Sequence, residues 1–456
     1  MKIRTSLITI ILILMTMGYL SLAFGAISEE EASKLGGPLL TPIGAERAGN
    51  KDGTIPEWTG VPIPSPKNFK PGSGVRPDPF ADEKPLFSIN QKNMDKYSDK
   101  LSEGVKTFMK RYPDYRIDVY KTHRTMVFPK WYYDQTKKSA TKCQVINDDK
   151  TLSGRGCHGG TPFPIPKAGI ELYWNHAIRF QGEANTNEME CYNITTEGKV
   201  SISTLAKQYY SFVWNDLSKE DDNRVQLVRT YYVGPARRVG EGIVISATSD
   251  YAGKGATVWQ YLPGQRRVRL APDFCCDTPS AATGGASTID DAGVVNGTPE
   301  RFTWNIIGKK EMYIPYNANK IAYYQGDVNK AILPKFLNPD LIRWELHRVW
   351  ILEAKLKPGK RHVYYKRVVY LDEDTFGAVM SDNYDKRGAF YRTTIAYPTY
   401  SYDAQAPFDY FQTYYDVISN SYAVYQWPRL TTGFQYIKPP RESFFSADAL
   451  AGGGMR

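Results

Sequence analysis

Past residue 22 the sequence has no apolar run long enough to cross a bilayer as a helix, so most of its 456 residues cannot belong to a helical membrane protein. Cysteine is scarce: Cys143, Cys157, Cys191, Cys275 and Cys276 make up the full set. No two of them form a C-x-x-C pair, which excludes a thioredoxin-like redox centre, and the odd number leaves at least one thiol unpaired. Histidine is equally sparse. His123, His158, His176, His347 and His362 are scattered without H-E-x-x-H or another compact ligand spacing, so no metal site is expected. Cys157-His158 lacks the cysteine three residues earlier that covalent haem attachment requires. The chain has no G-x-S-x-G elbow, Walker loop or dinucleotide fingerprint, and no cofactor or enzymatic activity is expected of it. Glu220-Asp221-Asp222, Asp290-Asp291 and Asp372-Glu373-Asp374 fall in predicted turns, where solvated carboxylates are the ordinary expectation.

What is present begins with an export signal. Lys2 and Arg4 precede an almost wholly apolar stretch from Ser6 to Leu22, and Ala23-Phe24-Gly25 supplies small residues for cleavage before Ala26. The mature chain is expected outside the cytoplasm, in the periplasm, free or peripheral to a membrane, as its mean hydropathy of -0.46 suits a water-soluble protein. Losing Lys2 and Arg4 lowers the formal charge from +10 to +8; the basic surface that remains is compatible with anionic partners such as lipid headgroups, a merely solubilising surface being the ordinary reading. Nucleic acid is not among the expected partners, because the basic residues form no long Lys/Arg block. In such a compartment Cys143 and Cys157, flanking a polar loop, are the best placed to form a disulfide.

Three regions follow from the pattern: the signal over 1–25, a helix and strap over 26–90, and a single β-rich domain with covering helices over 91–456. Ser28 and Glu31 have capping-box spacing, so a short helix should run to Gly36-Gly37. From Pro38 to about Pro85, repeated Pro and Gly forbid helix or central strand and predict an extended strap. Helical spacing predicts one helix from Asn93 to Tyr112 and another from Ala168 to Phe180. From Val200 onward, short runs of Val, Ile, Tyr, Trp and Thr between turn residues predict an antiparallel meander, with Arg343–Leu356 as its clearest strand. The small-residue segment Thr278–Thr298 interrupts the strands and reads as a lid or as disorder.

Aromatic residues make up 13% of the chain, with 33 tyrosines and 9 tryptophans, which either fill a sheet core or line a concave apolar site. Core filling is the default. Trp174, Trp304, Tyr313, Trp344, Trp350 and Leu352 are the candidates for the wall of an apolar cavity, and Arg237, Arg238, Arg266, Arg267 and Arg269 for a rim that meets an anionic headgroup.

The strap sequence from Leu40 to Gly60 (LTPIGAERAGNKDGTIPEWTG) resembles the opening of a Gram-negative family known as domain of unknown function 1329. So do Pro162–His176, Trp259–Pro272, Gly308–Asn317 and Arg343–Tyr391, so the resemblance spans nearly the whole mature chain. That family is similar to outer-membrane lipoprotein-sorting proteins of the LolA type. The resemblance implies an open, curved antiparallel β-sheet, a LolA-like half-barrel, closed by helices around a hydrophobic cavity. It further implies a carrier of lipid or another hydrophobic molecule, working with a resistance-nodulation-division type exporter and an outer-membrane protein. The Cys143–Cys157 segment departs from the family pattern, so its disulfide is not part of what the resemblance implies. An adaptor with a filled core, docking on an exporter without binding a ligand, is the alternative reading.

Overall fold

The computed structural model describes residues 24–219, 222–253, 255–272, 274–408, 411–429 and 433–453. The charged start and apolar run read as a signal lie outside these, as do Glu220 and Asp221. Among the described residues no helix is long and apolar enough to cross a membrane.

Sixteen strands form one sheet. β1 (Phe87–Asn90) and β2 (Arg116–Val119) make one edge. A first meander then runs through β3 (Ala184–Ile194), β4 (Val200–Ser211), β5 (Arg224–Gly234), β6 (Gly242–Thr248), β7 (Thr257–Leu262) and β8 (Arg267–Leu270). A second comprises β9 (Phe302–Pro315), β10 (Trp344–Leu356), β11 (Lys366–Asp372), β12 (Ala378–Tyr384), β13 (Phe390–Ala396), β14 (Gln412–Asp416) and β15 (Ser421–Pro428). β16 (Phe434–Tyr436) adds to β3. Within each meander neighbours are antiparallel, as short connections require. The two join where β15 pairs with β3, and a single parallel contact, Trp344 opposite Val119, links β10 to β2. β8 and β1 end the sheet without meeting, so it is open and not a barrel.

The local rules account for much of this. Ser28 Oγ accepts from Glu31 N at 3.1 Å and Glu31 answers Ser28 N at 3.0 Å, starting α1 (Glu29–Ser33). Residues 38–85 contain no helix or strand beyond an isolated bridge between Leu40 and Glu46. The helix expected over Asn93–Tyr112 is broken: a 3₁₀ segment, Met94–Lys100, precedes α2 (Glu103–Arg111). The break is made from far away in sequence. Ser102 caps Val105 N, and the buried Asp382 carboxylate of β12 accepts from Glu103 N at 2.8 Å and Gly104 N at 3.1 Å. α3 (Lys130–Ser139) was not marked by periodicity, and α4 (Gly169–Ala177) is shorter than its predicted span. α4 is buried from Gly169 to His176, and a Cβ at Gly169 would come within 2.4 Å of the Trp304 backbone, so glycine is what lets helix and β9 meet.

The connection from β8 to β9, residues 271–301, does not run free. It lies against the first meander, where Ser203 Oγ donates to Ala282 O at 2.7 Å and Arg238 Nη1 to Ala281 O at 3.2 Å. Its far end is tied to the second. Asp290 meets His362 Nε2 at 2.8 Å, Asp291 meets Arg367 Nη2 at 2.9 Å and Tyr364 OH at 2.9 Å, and His176 Nε2 donates to Gly293 O at 2.9 Å. Asp290 and Asp291, expected in solvent, are buried here because a guanidinium and an imidazole balance them.

Candidate functional site

Strand alternation decides what faces the space beneath this loop. On β3 the inward residues are Asn185, Asn187, Met189 and Cys191, all buried; on β4, Ala206, Gln208 and Tyr210; on β5, Val228, Thr230 and Tyr232. Ile243 and Ile245 of β6 continue the same face. Between this face and the loop is a cavity of about 210 Å³. Tyr414 of β14 and Tyr425 and Gln426 of β15 close its side, and Phe274, Ala281, Ala282, Ile289 and Val295 of the loop cover it.

The wall is both apolar and hydrogen-bonding. Gln426 Nε2 donates to Gln208 Oε1 at 2.7 Å and reaches Tyr210 OH at 3.1 Å, while Gln208 Nε2 donates to Thr230 Oγ1 at 3.2 Å. This row crosses from β15 over β3 to β4 and β5 because β15 bulges at Gln426, whose φ is +57°. Burial raises the phenols of Tyr210, Tyr232, Tyr414 and Tyr425, which therefore stay as neutral hydroxyls. Among the described residues the lining includes two arginines, Arg179 and Arg238, and no carboxylate, imidazole or thiol. Cys191, near the floor, is held up to about 12 by burial, so its thiol is not reactive.

A wider hollow of about 590 Å³ lies on the opposite face of β4 and β5, between 213–219 and 439–442. Lys219, Asp216 and Glu442 border it beside Trp131, Phe212, Val213, Leu217 and Leu227, and Lys219 pairs with Glu442, so it is a more open trough with a charged rim.

The six residues anticipated as a cavity wall are placed elsewhere. Trp174, Trp304 and Leu352 fill one packed core, with the Tyr173 and Trp304 rings 4.5 Å apart, and Trp350 packs against it beneath Lys309. Trp344 and Tyr313 belong to another core, where Tyr313 meets Phe87 and Tyr97. None of the six lines the cavity. Of the arginines, Arg237, Arg266 and Arg267 are exposed, and exposed Arg269 bonds Gln260 of the lining at 3.2 Å. Arg238 is buried and works as a latch. Its guanidinium lies 3.8 Å from the Tyr232 ring centroid, bonds Thr204 Oγ1 at 2.7 Å and the loop carbonyl of Ala281, and faces Glu241 at 3.2 Å. Cys143 and Cys157 are joined, with Cα atoms 4.7 Å apart. The glutamine row has no motif in the sequence. The alternation of Gln208 with Tyr210 on one strand face was its only trace.

A second buried cluster holds His347, Asp372 and Asp374, with one donor atom of each within 4.8 Å of the others. These acids were expected in solvent, yet all are at most 4% exposed. Arg124 takes both oxygens of Asp374, at 2.8 and 2.6 Å, and Lys309 meets Glu373 at 2.6 Å. Burial, with Asp374 adding to it, pushes Asp372 up to about 7. The cluster is a strap anchor: Arg124 also donates to Glu46 O at 2.8 Å and Arg47 O at 3.0 Å, and Glu373 accepts from Glu46 N at 3.2 Å. Residues 372–374 thus help to hold the strap motif, through Glu46 and Arg47.

Residues 88–451 match the family model described as protein of unknown function (DUF1329). The chain belongs to this family. An uncharacterized protein of Pseudomonas aeruginosa is 38% identical over 402 residues, covering 87% of each chain. Among solved structures, a proposed outer-membrane lipoprotein-sorting domain from Vibrio parahaemolyticus superposes with TM-score 0.43 at 15% identity, over 62% of this chain and 98% of that one. A DUF1329 protein from Desulfovibrio piger gives 0.40 at 15% identity, over 59% and 92%. A LolA superfamily protein from Nitrosomonas europaea gives 0.37 at 9% identity, over 62% and 99%. At such scores these likenesses add nothing to the fold, which rests on the strand pairing itself.

Proposed function

We propose that this family member is a carrier, which takes up a lipid or other molecule with a substantial apolar part beneath the 271–301 loop and passes it between components of the cell envelope. One observation supports this above others: a partly open cavity beneath an anchored loop, whose wall among the described residues has no carboxylate, imidazole or thiol to run a reaction. Ile243, Ile245, Phe274, Ile289 and Val295 supply apolar surface, and removing ligand surface from water there contributes roughly 25 cal/mol per Å² before ordering costs. The signal segment makes the periplasm its place of work. Exchange with an exporter and an outer-membrane protein would follow from that place.

Purification from the native envelope, extraction and mass spectrometry test the reading. A co-purifying amphiphile, released when the loop is disturbed, is the expected result. A ligand-free protein that also ignores added fluorescent fatty acids and lipids would leave only the docking adaptor.

A further inference from the structure

We infer that the cavity recognises a hydroxyl-bearing head group, so that its ligand enters polar end first: an amphiphile whose head is a polyol or a hydroxylated ring. This rests on the carrier reading of the same cavity and specifies which class of molecule it carries.

The observation is two buried amide oxygens of the cavity lining that have no hydrogen-bond partner, with further unpaired amide atoms on β3 behind it. Gln426 Oε1 and Gln181 Oε1 belong to residues of the lining, 4% and 6% exposed. On the same inward face of β3, both amide atoms of Asn185 and Nδ2 of Asn187 are also without partners. Asn185 stands in register with Tyr210, and Asn187 with Gln208, beside the glutamine row. Buried amides are normally satisfied, and a cluster left open around a cavity is a request for a guest that answers it.

The chemistry of the open atoms selects among guests. An alkyl chain answers none. A carboxylate or phosphate offers acceptors alone and would set its oxygens against the carbonyl oxygens of Gln181 and Gln426. A hydroxyl donates to the two unpaired lining carbonyls, Gln181 Oε1 and Gln426 Oε1, and keeps its own oxygen free to accept from the lining hydroxyls. It also answers either orientation of the Gln426 amide.

Size agrees. About 210 Å³ is the share of on the order of seven water molecules. That is room for a head group and less than the roughly 300–1,000 Å³ of a site for a whole drug-sized ligand. The opposite wall is mixed: Phe274, Ile289 and Val295 of the loop are apolar, and Ser280, Ser287, Thr288 and Asn296 stand among them, which suits a ring with a greasy face and hydroxylated edges. A long tail must then lie beyond the cavity as it stands.

Two probes of equal chain length test this on the mature full-length protein by calorimetry below their micelle concentrations: n-octyl β-glucoside and octanoate. The glucoside is expected to bind at least tenfold more tightly. Gln426→Leu and Gln181→Leu should each weaken it about tenfold while moving octanoate less than threefold. Gln181 lies outside any strand, so its variant carries the test if the left-handed backbone at Gln426 does not tolerate leucine. Octanoate binding as well as the glucoside, or glucoside affinity unchanged in the variants, overturns the head-group inference and leaves the carrier reading standing. Binding of neither probe, together with a lipid-free native protein, removes both.

Discussion

Arg367 of β11 holds Asp291 of the covering loop at 2.9 Å, with both side chains at most 1% exposed. Arg367 also bonds the loop carbonyl of Val294 at 2.8 Å and Asp290 at 3.3 Å, so one guanidinium fixes the loop through two carboxylates and a backbone oxygen. His362 at Asp290 and Tyr364 at Asp291 complete the hold. The cover of the cavity is thereby a part of the second meander's interior.

Arg367→Met should leave two buried carboxylates without their cation. A loss of about 3–5 kcal/mol is expected, read from the denaturant midpoint, because an uncompensated buried charge outweighs the pair's own contribution. Protease cleavage within 278–298 should become faster than elsewhere in the chain. Equal stability with no new cleavage would show that the loop is held by other contacts.

The cover should also loosen in acid through His176. Its Nε2–H donates to Gly293 O and Val295 O, its Nδ1 accepts from Ala378 N at 3.0 Å, and burial, with Arg179 adding to it, keeps the imidazole well below its usual range. Below about pH 6.5 the unfolded chain takes a proton here that the folded chain refuses, so stability falls with pH, by about 2 kcal/mol between pH 6.5 and 5. Asp372, pushed up to about 7, keeps its proton when folded and contributes the opposite slope between about pH 4 and 7. The comparison with His176→Asn isolates the imidazole: the stability difference between the two proteins should shrink from pH 7.5 to pH 5, measured by urea unfolding.

Replacing Cys143 and Cys157 with serine opens a link across a sequence separation of 14 residues. The chain-entropy estimate for a loop of that length is about 3 kcal/mol, and the midpoint of unfolding should fall accordingly. Alkylation of the denatured native protein without reductant should leave these two thiols unlabelled.

Gly44→Ala tests the strap. Gly44 has φ +91°, and a Cβ there would lie 1.7 Å from Pro164 O, so alanine forces the motif off its seat. Gly53, at φ +68° with nothing within 4 Å of a Cβ, is the control. Gly53→Ala should cost about 1–2 kcal/mol from backbone conformation alone. Gly44→Ala should cost clearly more and expose residues 38–85 to limited proteolysis.

What the sequence made legible was local. Ser28 with Glu31, the Pro/Gly strap and the strand read over Arg343–Leu356 are each set by neighbours within a few residues, and the structure has them, with that strand buried on both faces. What it concealed was tertiary. Asp382 breaks the predicted helix at Ser102, Arg367 draws Asp290 and Asp291 inside, and Arg124 does the same for Asp374, each from a distant strand or segment. The tryptophans drew attention as a cavity wall because large aromatic rings line such walls, but large rings also fill volume best, and Trp174, Trp304 and Trp344 do that. The cavity went to smaller polar residues that left room between them, and no single-strand pattern distinguishes a glutamine facing a hollow from one facing water.

The pairing of β15 with β3 has a consequence for the order in which the molecule assembles. Each meander can grow from adjacent hairpins, which close quickly, but these two strands come from near the start and near the end of the sheet's run of chain. Gln426 and Tyr425 arrive with the later one, Gln208 and Tyr210 with the earlier. Finished hairpins alone leave this interior open on one side; the wall is complete only when the late strand reaches the early one, so a guest finds its seat after that seam has closed.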